Sequence, residues 1–217
     1  MSWRGNTAMS EPVAVAVLAK APLAGFAKTR LIPVLGADGA AVLQARLTER
    51  AASTAYTAAI GPVTLWATPD ETHPAFQALC TRLDIALARQ GDGDLGARML
   101  AAVAAANGPS LVIGTDCPAL TSDHLRTAAD ILRGGADVVV VPAEDGGYAL
   151  IGMRRAEPAL FCDMRWSTPD VMGATRQRLR QLGLSWQEPV TLWDVDVPAD
   201  LERMRDIGLQ DLIPSRR

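Results

Sequence analysis

Residues 137–153 read Asp137-Val138-Val139-Val140-Val141-Pro142-Ala143-Glu144-Asp145-Gly146-Gly147-Tyr148-Ala149-Leu150-Ile151-Gly152-Met153. Two short apolar runs, the first strongly β-branched, flank a turn of acidic residues and glycines. The first reads as a strand covered on both faces, and the second as a strand. A parallel pair needs a crossover of a dozen or more residues, and this connection is far too short. Tyr148–Met153 is therefore expected to run antiparallel to Asp137–Val141.

Upstream of that pair the pattern alternates strand and helix. Val13–Ala19, Val63–Ala67, Ile85–Arg89 and Leu111–Ile113 are apolar runs of strand length. Helical spacing and composition predict helices over Ala37–Ala59, Pro74–Leu83, Leu95–Ala106 and Asp123–Leu132. Downstream, a helix over Thr168–Gln181, a strand over Val190–Trp193 and a helix over Pro198–Arg205 complete the reading, with Pro198 suited to a first turn. The fold class expected is α/β, a three-layer α/β/α arrangement around a mostly parallel mixed sheet.

The chain has 217 residues, enough for one well-filled core without disulfides. No linker or repeat divides it. One domain is expected over 12–210, with a flexible N-terminal tail at 1–11 and a C-terminal tail at 211–217; Met1 and Met9 both remain open as starts. A net charge of −3 argues against a nucleic-acid partner. Cys80, Cys117 and Cys162 form no CxxC pair, which excludes a zinc knuckle or disulfide framework and fits a reducing compartment. No run is long and apolar enough to span a bilayer. Val13–Ala19 is followed by Lys20 and Pro22, not by a cleavage site, so no signal peptide is read. The expectation is a soluble cytoplasmic protein that touches neither membrane nor nucleic acid; a homodimer is left open.

In open α/β sheets, ligands sit outside the carboxyl ends of the strands, so the residues there carry the functional reading. The first strand ends in Lys20-Ala21-Pro22-Leu23-Ala24-Gly25-Phe26-Ala27-Lys28-Thr29-Arg30. Three cations on one Gly/Pro loop suit polyphosphate, and the loop matches neither a Walker pattern nor GxGxxG. Gly114-Thr115-Asp116-Cys117-Pro118 places a carboxylate where a hard cation could be held. Asp194-Val195-Asp196 offers two more on one side of an extended segment. Each of these aspartates could equally cap a following helix. Gln90-Gly91-Asp92-Gly93-Asp94-Leu95-Gly96 is a tight turn by pattern, with glycines that admit a flat ligand. Asp145, Gly147 and Tyr148 form a hairpin-like turn open to an acceptor. Trp166 precedes Ser167 and Thr168, either of which could cap a helix, and the indole could line a pocket. His73 and His124 read as surface or capping residues, and Cys117 as a packing residue.

Taken together, K-A-P-x-x-G-x-x-K-T-R-L, G-D-L-G-x-R-M, G-T-D-C-P-x-L, D-G-G-Y-x-L-I-G, W-S-T and D-V-D-x-P-x-D-L run from Lys20 to Leu201. This set resembles a family of uncharacterised bacterial transferases with the GT-A fold of nucleotide-diphospho-sugar transferases, associated by label with radical-SAM and selenium-related proteins. It is distantly similar to phospholactate and molybdenum cofactor guanylyltransferases. The resemblance implies that Lys20, Lys28 and Arg30 grip a triphosphate, that Gln90, Asp94 and Gly96 lie beside base and ribose, and that Asp116 with Asp196 or Asp194 binds Mg²⁺ or Mn²⁺. It places Gly147 and Tyr148 near the acceptor. The Asp-x-Asp of many GT-A glycosyltransferases is here Asp116-Cys117-Pro118, and the Gly-rich first loop of the molybdenum relatives is replaced by Lys-Ala-Pro.

The activity these expectations favour is a metal-dependent nucleotidyltransferase that moves a nucleotide from a nucleoside triphosphate to a small phosphorylated or oxyanion acceptor. The rival is a glycosyltransferase using a sugar nucleotide. A third reading is a non-catalytic nucleotide-binding regulator.

Overall fold

The apolar runs become the centre of one seven-stranded sheet in the computed structural model, which describes residues 10–215. In chain order the strands are β1 (Ala14–Lys20), β2 (Val63–Thr68), β3 (Ala86–Arg89), β4 (Ser110–Ile113), β5 (Val138–Pro142), β6 (Tyr148–Met153) and β7 (Trp186–Gln187). The helices are α1 (Ile32–Ala58), α2 (Pro74–Leu83), α3 (Leu95–Ala105), α4 (Ser122–Arg133), α5 (Val171–Gln181) and α6 (Pro198–Asp206). The sheet order is β3-β2-β1-β4-β6-β5-β7, and β6 alone runs against the rest. The inversion expected at residues 144–147 is therefore present. Because β6 is reversed, its first residue, Tyr148, sits at the same sheet edge as the carboxyl ends of the parallel strands.

Side-chain alternation along the strands builds two cores. Val15, Val17, Leu65, Leu111, Ile113, Val139 and Val141 pack on one face with residues of α1, α2 and α4. Ala16, Val112, Val138, Val140 and Ile151 pack on the other with Met99, Ala102 and Val103 of α3 and Met172 and Leu179 of α5. The result is the three-layer α/β/α arrangement. Each large aliphatic side chain sealed this way stabilises the fold by about 1.5–3 kcal/mol. A third cluster joins Leu43 and Leu47 of α1 to Trp193, Val195, Leu201 and Met204. It fixes the stretch from Trp193 to Met204 against the first helix.

The structure departs from the sequence expectations at three places. The strand expected over Val190–Trp193 is not formed; β7 lies earlier, at Trp186–Gln187, and 190–193 contributes a single bridge, Ala143 to Leu192. Pro189 stands between the two pieces and has no N–H for the ladder, so this edge is split. The helix expected from Thr168 begins at Val171, because Ser167 adopts φ 61 and the preceding loop stays non-helical. Finally, the segment read as a tail from 211 lays Leu212 and Ile213 against the third cluster, and Arg46 donates to the carbonyls of Asp211 and Leu212. The expected N-terminal tail lies outside the described residues except for Ser10 and Glu11. Gly36 (φ 74, ψ 167) interrupts α1, so its regular part starts at Ala37 as the spacing predicts.

Candidate functional site

An open cleft of about 720 Å³ runs along the carboxyl edge of the parallel strands. Its size is that of a small-molecule site. Lys20, Lys28, Arg30, Gln90, Asp116, Asp145, Gly147, Tyr148, Trp166, Asp194 and Asp196 all line it. These come from six separate stretches of chain: the loops after β1, β3 and β4, the turn into the reversed β6, the loop before α5, and the extended segment before α6.

The charged end of the cleft is built around Lys28. Its ammonium lies 2.6 Å from Asp116 Oδ1, 2.6 Å from the Val195 carbonyl and 3.7 Å from Asp196 Oδ1. Arg30 approaches the other oxygen of Asp196 at 3.6 Å. The Lys28 side chain is only 5% exposed, whereas that of Arg30 is 72% exposed. Lys20 donates to the Phe26 carbonyl at 2.9 Å, which folds the loop back on its own start. The three cations expected on one wall do share the cleft, but Lys28 is turned to the carboxylates.

Neither Asp116 nor Asp196 caps a helix. Thr121 caps α4, and Asp200 accepts from the backbone N–H groups of Asp196 and Val197 at 2.8 Å each. Both aspartates are thus released for the cleft. Val195, between Asp194 and Asp196, is fully buried and donates its N–H to the Asp116 carbonyl at 2.8 Å. That bond brings the end of the chain alongside the end of β4, and the alternation around Val195 turns both flanking aspartates to the cleft. Asp194 sits deepest. Its Oδ1 is sealed from solvent and has no hydrogen-bond partner among the described residues. Burial, reinforced by Asp116 and Asp145, pushes its carboxyl up to about 7, against the opposing pull of Lys28.

A relay missed in the sequence supports Asp116. Gln44, buried in α1, donates to Thr115 Oγ1 at 3.0 Å, and the Thr115 hydroxyl faces Asp116 Oδ1 at 3.4 Å. The signal was a pair of polar side chains, Gln44 and Thr48, among the buried apolar residues of one helix face. Thr68, Arg98, Ser167 and Thr168 also line the cleft without having been expected there.

At the opposite end the wall is aromatic. Tyr148 packs edge-on to Trp166, ring centroids 6.4 Å apart. Its hydroxyl faces Met99 Sδ at 3.9 Å, and burial raises its pKa. Trp166 donates its Nε1–H to Asp94 Oδ2 at 3.1 Å. Asp94 also caps α3, accepting from Ala97 N at 2.9 Å, and this backbone bond is the main reason its carboxyl is held below the usual range. At Gly96 a Cβ would fall 2.6 Å from Trp166 Cζ2. The flat group that Gly96 adjoins is therefore the indole; Gly96 is buried beneath it, while Asp94 stays exposed and holds the indole N–H, and neither is among the residues that line the cleft. Gln90 spends its amide hydrogens on the carbonyls of Trp66 and Ala19, at 2.8 and 3.3 Å, which ties three strand ends together. Neither Ser167 nor Thr168 is a helix cap: the Thr168 hydroxyl donates to the Arg165 carbonyl. His73 does cap α2, and His124 completes the capping box of α4 by accepting from the Thr121 N–H. Burial pushes the Cys117 thiol up to about 12, which leaves it a neutral packing group.

Among the described residues no three His, Cys, Asp or Glu side chains form a ready metal cage. The donor set here is different: one carboxylate just past β4 and one just past the Leu192 bridge already converge on one cation, the Lys28 ammonium. Such a pair suits Mg²⁺, which takes one or two carboxylates and completes its shell with phosphate and water. Among the described residues no helix is long and apolar enough to cross a membrane.

No curated protein matches the chain. Among solved structures, a protein of Desulfovibrio desulfuricans G20, provisionally named a nucleotide-diphospho-sugar transferase, is 25% identical with a TM-score of 0.80, over 91% of this chain and 90% of that one. CMP:2-keto-3-deoxy-manno-octonic acid synthetase, solved with CTP, is 13% identical with a TM-score of 0.57, over 93% of this chain and 100% of that one. The 4-diphosphocytidyl-2C-methyl-D-erythritol synthase of Anaerococcus prevotii DSM 20548 is 12% identical with a TM-score of 0.58, over 92% and 98%. These last two share the fold, which by itself assigns no activity. The profile of one bacterial family matches residues 33–168, and the chain belongs to that family, the uncharacterized proteins conserved in bacteria grouped as DUF2064.

Proposed function

We propose that the chain is a transferase whose cleft binds a nucleotide, and that it acts as a nucleotidyltransferase with a nucleoside triphosphate as donor. One observation carries the reading: Lys28 and Arg30 meet Asp116 and Asp196 at the carboxyl edge of the sheet, with Lys20 on the same cleft. An acceptor oxyanion would form a bond to the α-phosphorus as the bond from that phosphorus to the bridging oxygen breaks, releasing pyrophosphate with the electron pair. No covalent protein intermediate is needed, so the residues act by position and charge.

Asp116 and Asp196 are the residues that would hold Mg²⁺ or Mn²⁺, with Asp194 behind them; bound there, the ion would neutralise charge on the donor phosphates. Lys20 and Arg30 would carry the remaining phosphate charge, Arg30 as a two-pronged donor. Gln90 would lie near the base. Asp145, Gly147, Tyr148 and Trp166 would bound the acceptor, a small phosphorylated or otherwise anionic molecule.

The similarity to the Desulfovibrio protein at 25% identity favours a second reading, a sugar nucleotide as donor. Calorimetric titration separates the two. A triphosphate carries more charge than a sugar diphosphate, so with Mg²⁺ it should bind more tightly than a sugar nucleotide of the same base. Lys28→Ala should weaken the triphosphate more than the diphosphate. A clear win for the sugar nucleotide, with equal losses in the variant, would replace the first reading by the second.

A further inference from the structure

Lys28 has an unusual station for a phosphate-gripping residue. Its backbone is left-handed (φ 47, ψ 46), its side chain is almost wholly buried, and its ammonium donates to the Val195 carbonyl while lying within 4 Å of Asp116 Oδ1 and Asp196 Oδ1. Arg30 faces the remaining oxygen of Asp196. Asp145 and Asp194 bring two further carboxyl groups to the same neighbourhood, with Asp194 the most deeply buried. The two carboxylates best placed for a divalent ion are therefore already neutralised by the chain's own cation.

We infer that Lys28 is a resident counter-ion, which a divalent metal must displace from the Asp116–Asp196 pair before it can bind there. Two cations within 4 Å of the same carboxylates repel each other, and an ammonium moved off them into a buried position needs a new anion. A triphosphate supplies that anion, an extension that rests on the nucleotide reading above. Metal and triphosphate then bind with positive coupling: each makes room or provides a partner for what the other requires, and the gain is reciprocal. Arg30, mostly exposed, leaves Asp196 at little cost. Lys28 is thus a positioning residue in the free protein that becomes a ligand contact only when the metal arrives.

The test uses the metal alone. Mn²⁺ binding to the intact protein, without nucleotide, is followed by the electron paramagnetic resonance of the free ion. Lys28→Met keeps the stem and removes the charge, and should bind Mn²⁺ about ten-fold more tightly than the wild type, within the usual range of coupling between sites. Lys28→Arg keeps a cation and should bind as weakly as the wild type. Equal or weaker Mn²⁺ binding by a folded Lys28→Met protein overturns the inference. A second readout needs no variant: Lys28 should acylate slowly in the metal-free wild type and faster with Mn²⁺, reversed by chelation, as followed by peptide mass spectrometry. An unchanged rate at saturating Mn²⁺ also overturns it. Neither arm contains nucleotide, so failure here leaves the donor question to its own titration.

Discussion

At the scale of single residues, the cleft holds more carboxylate than its one buried lysine balances, and Asp194 bears the cost. Its carboxyl titrates near 7, well above an unfolded aspartate near 4. A raised pKa means the folded state holds the proton more tightly. The resulting stability is fully present below about pH 4 and is lost as pH rises through 7; its full size is on the order of 4 kcal/mol. Asp194→Asn cannot lose that proton, so its melting temperature should exceed that of the wild type increasingly between pH 5 and pH 8. A difference that stays flat across that range would show that Asp194 is not held protonated by burial. The sequence displayed the two aspartates but not their division of labour. Which one meets Lys28 depends on Val195 turning into the core, and that is set by Leu43, Leu47 and Met204, far away in the chain.

Elements were more legible than residues wherever local chemistry decided them. The apolar runs gave β1, β2, β4, β5 and β6, and the helix over 74–83 came out at its expected bounds, between a histidine cap and Asp84 in the left-handed region. Legibility failed where tertiary contact overrode pattern. Ser167 and Thr168 have the composition of a cap, yet their loop is shaped by contact with the 145–147 turn. Gly146 (φ 92) would place a Cβ 2.1 Å from the Pro169 carbonyl, and its own carbonyl accepts from Met172 N at 2.8 Å. Gly146→Ala should therefore destabilise the protein by roughly 1–3 kcal/mol, combining backbone strain with the clash. Gly173, inside α5, has nothing within 4 Å of its Cβ position. Gly173→Ala should raise stability by about 0.5–1 kcal/mol. Denaturant melts of the pair decide it: similar effects of one sign would refute the packing argument at Gly146.

On the scale of the whole molecule, the two faces of the sheet are closed by different helices, and the third cluster ties the end of the chain to α1. Leu209, Leu212 and Ile213 pack partly into that cluster, and Arg46 holds the carbonyls of Asp211 and Leu212. Removing residues from 209 onward should cost roughly 2–4 kcal/mol, estimated from three partly buried aliphatic side chains. The loss should appear as a lower urea midpoint, and an unchanged midpoint would mean these contacts are not maintained in solution. The same architecture puts a schedule on the site. Lys28 and its Val195 partner are separated by 167 positions. A ribosome delivers the first loop, the central strands and Asp116 long before residue 196, so a growing chain passes through a stage in which the sheet can begin to form while its anionic pair is still half made. Ligand can reward folding only after the last turn of synthesis has docked, and until then the nascent protein must rely on its core alone.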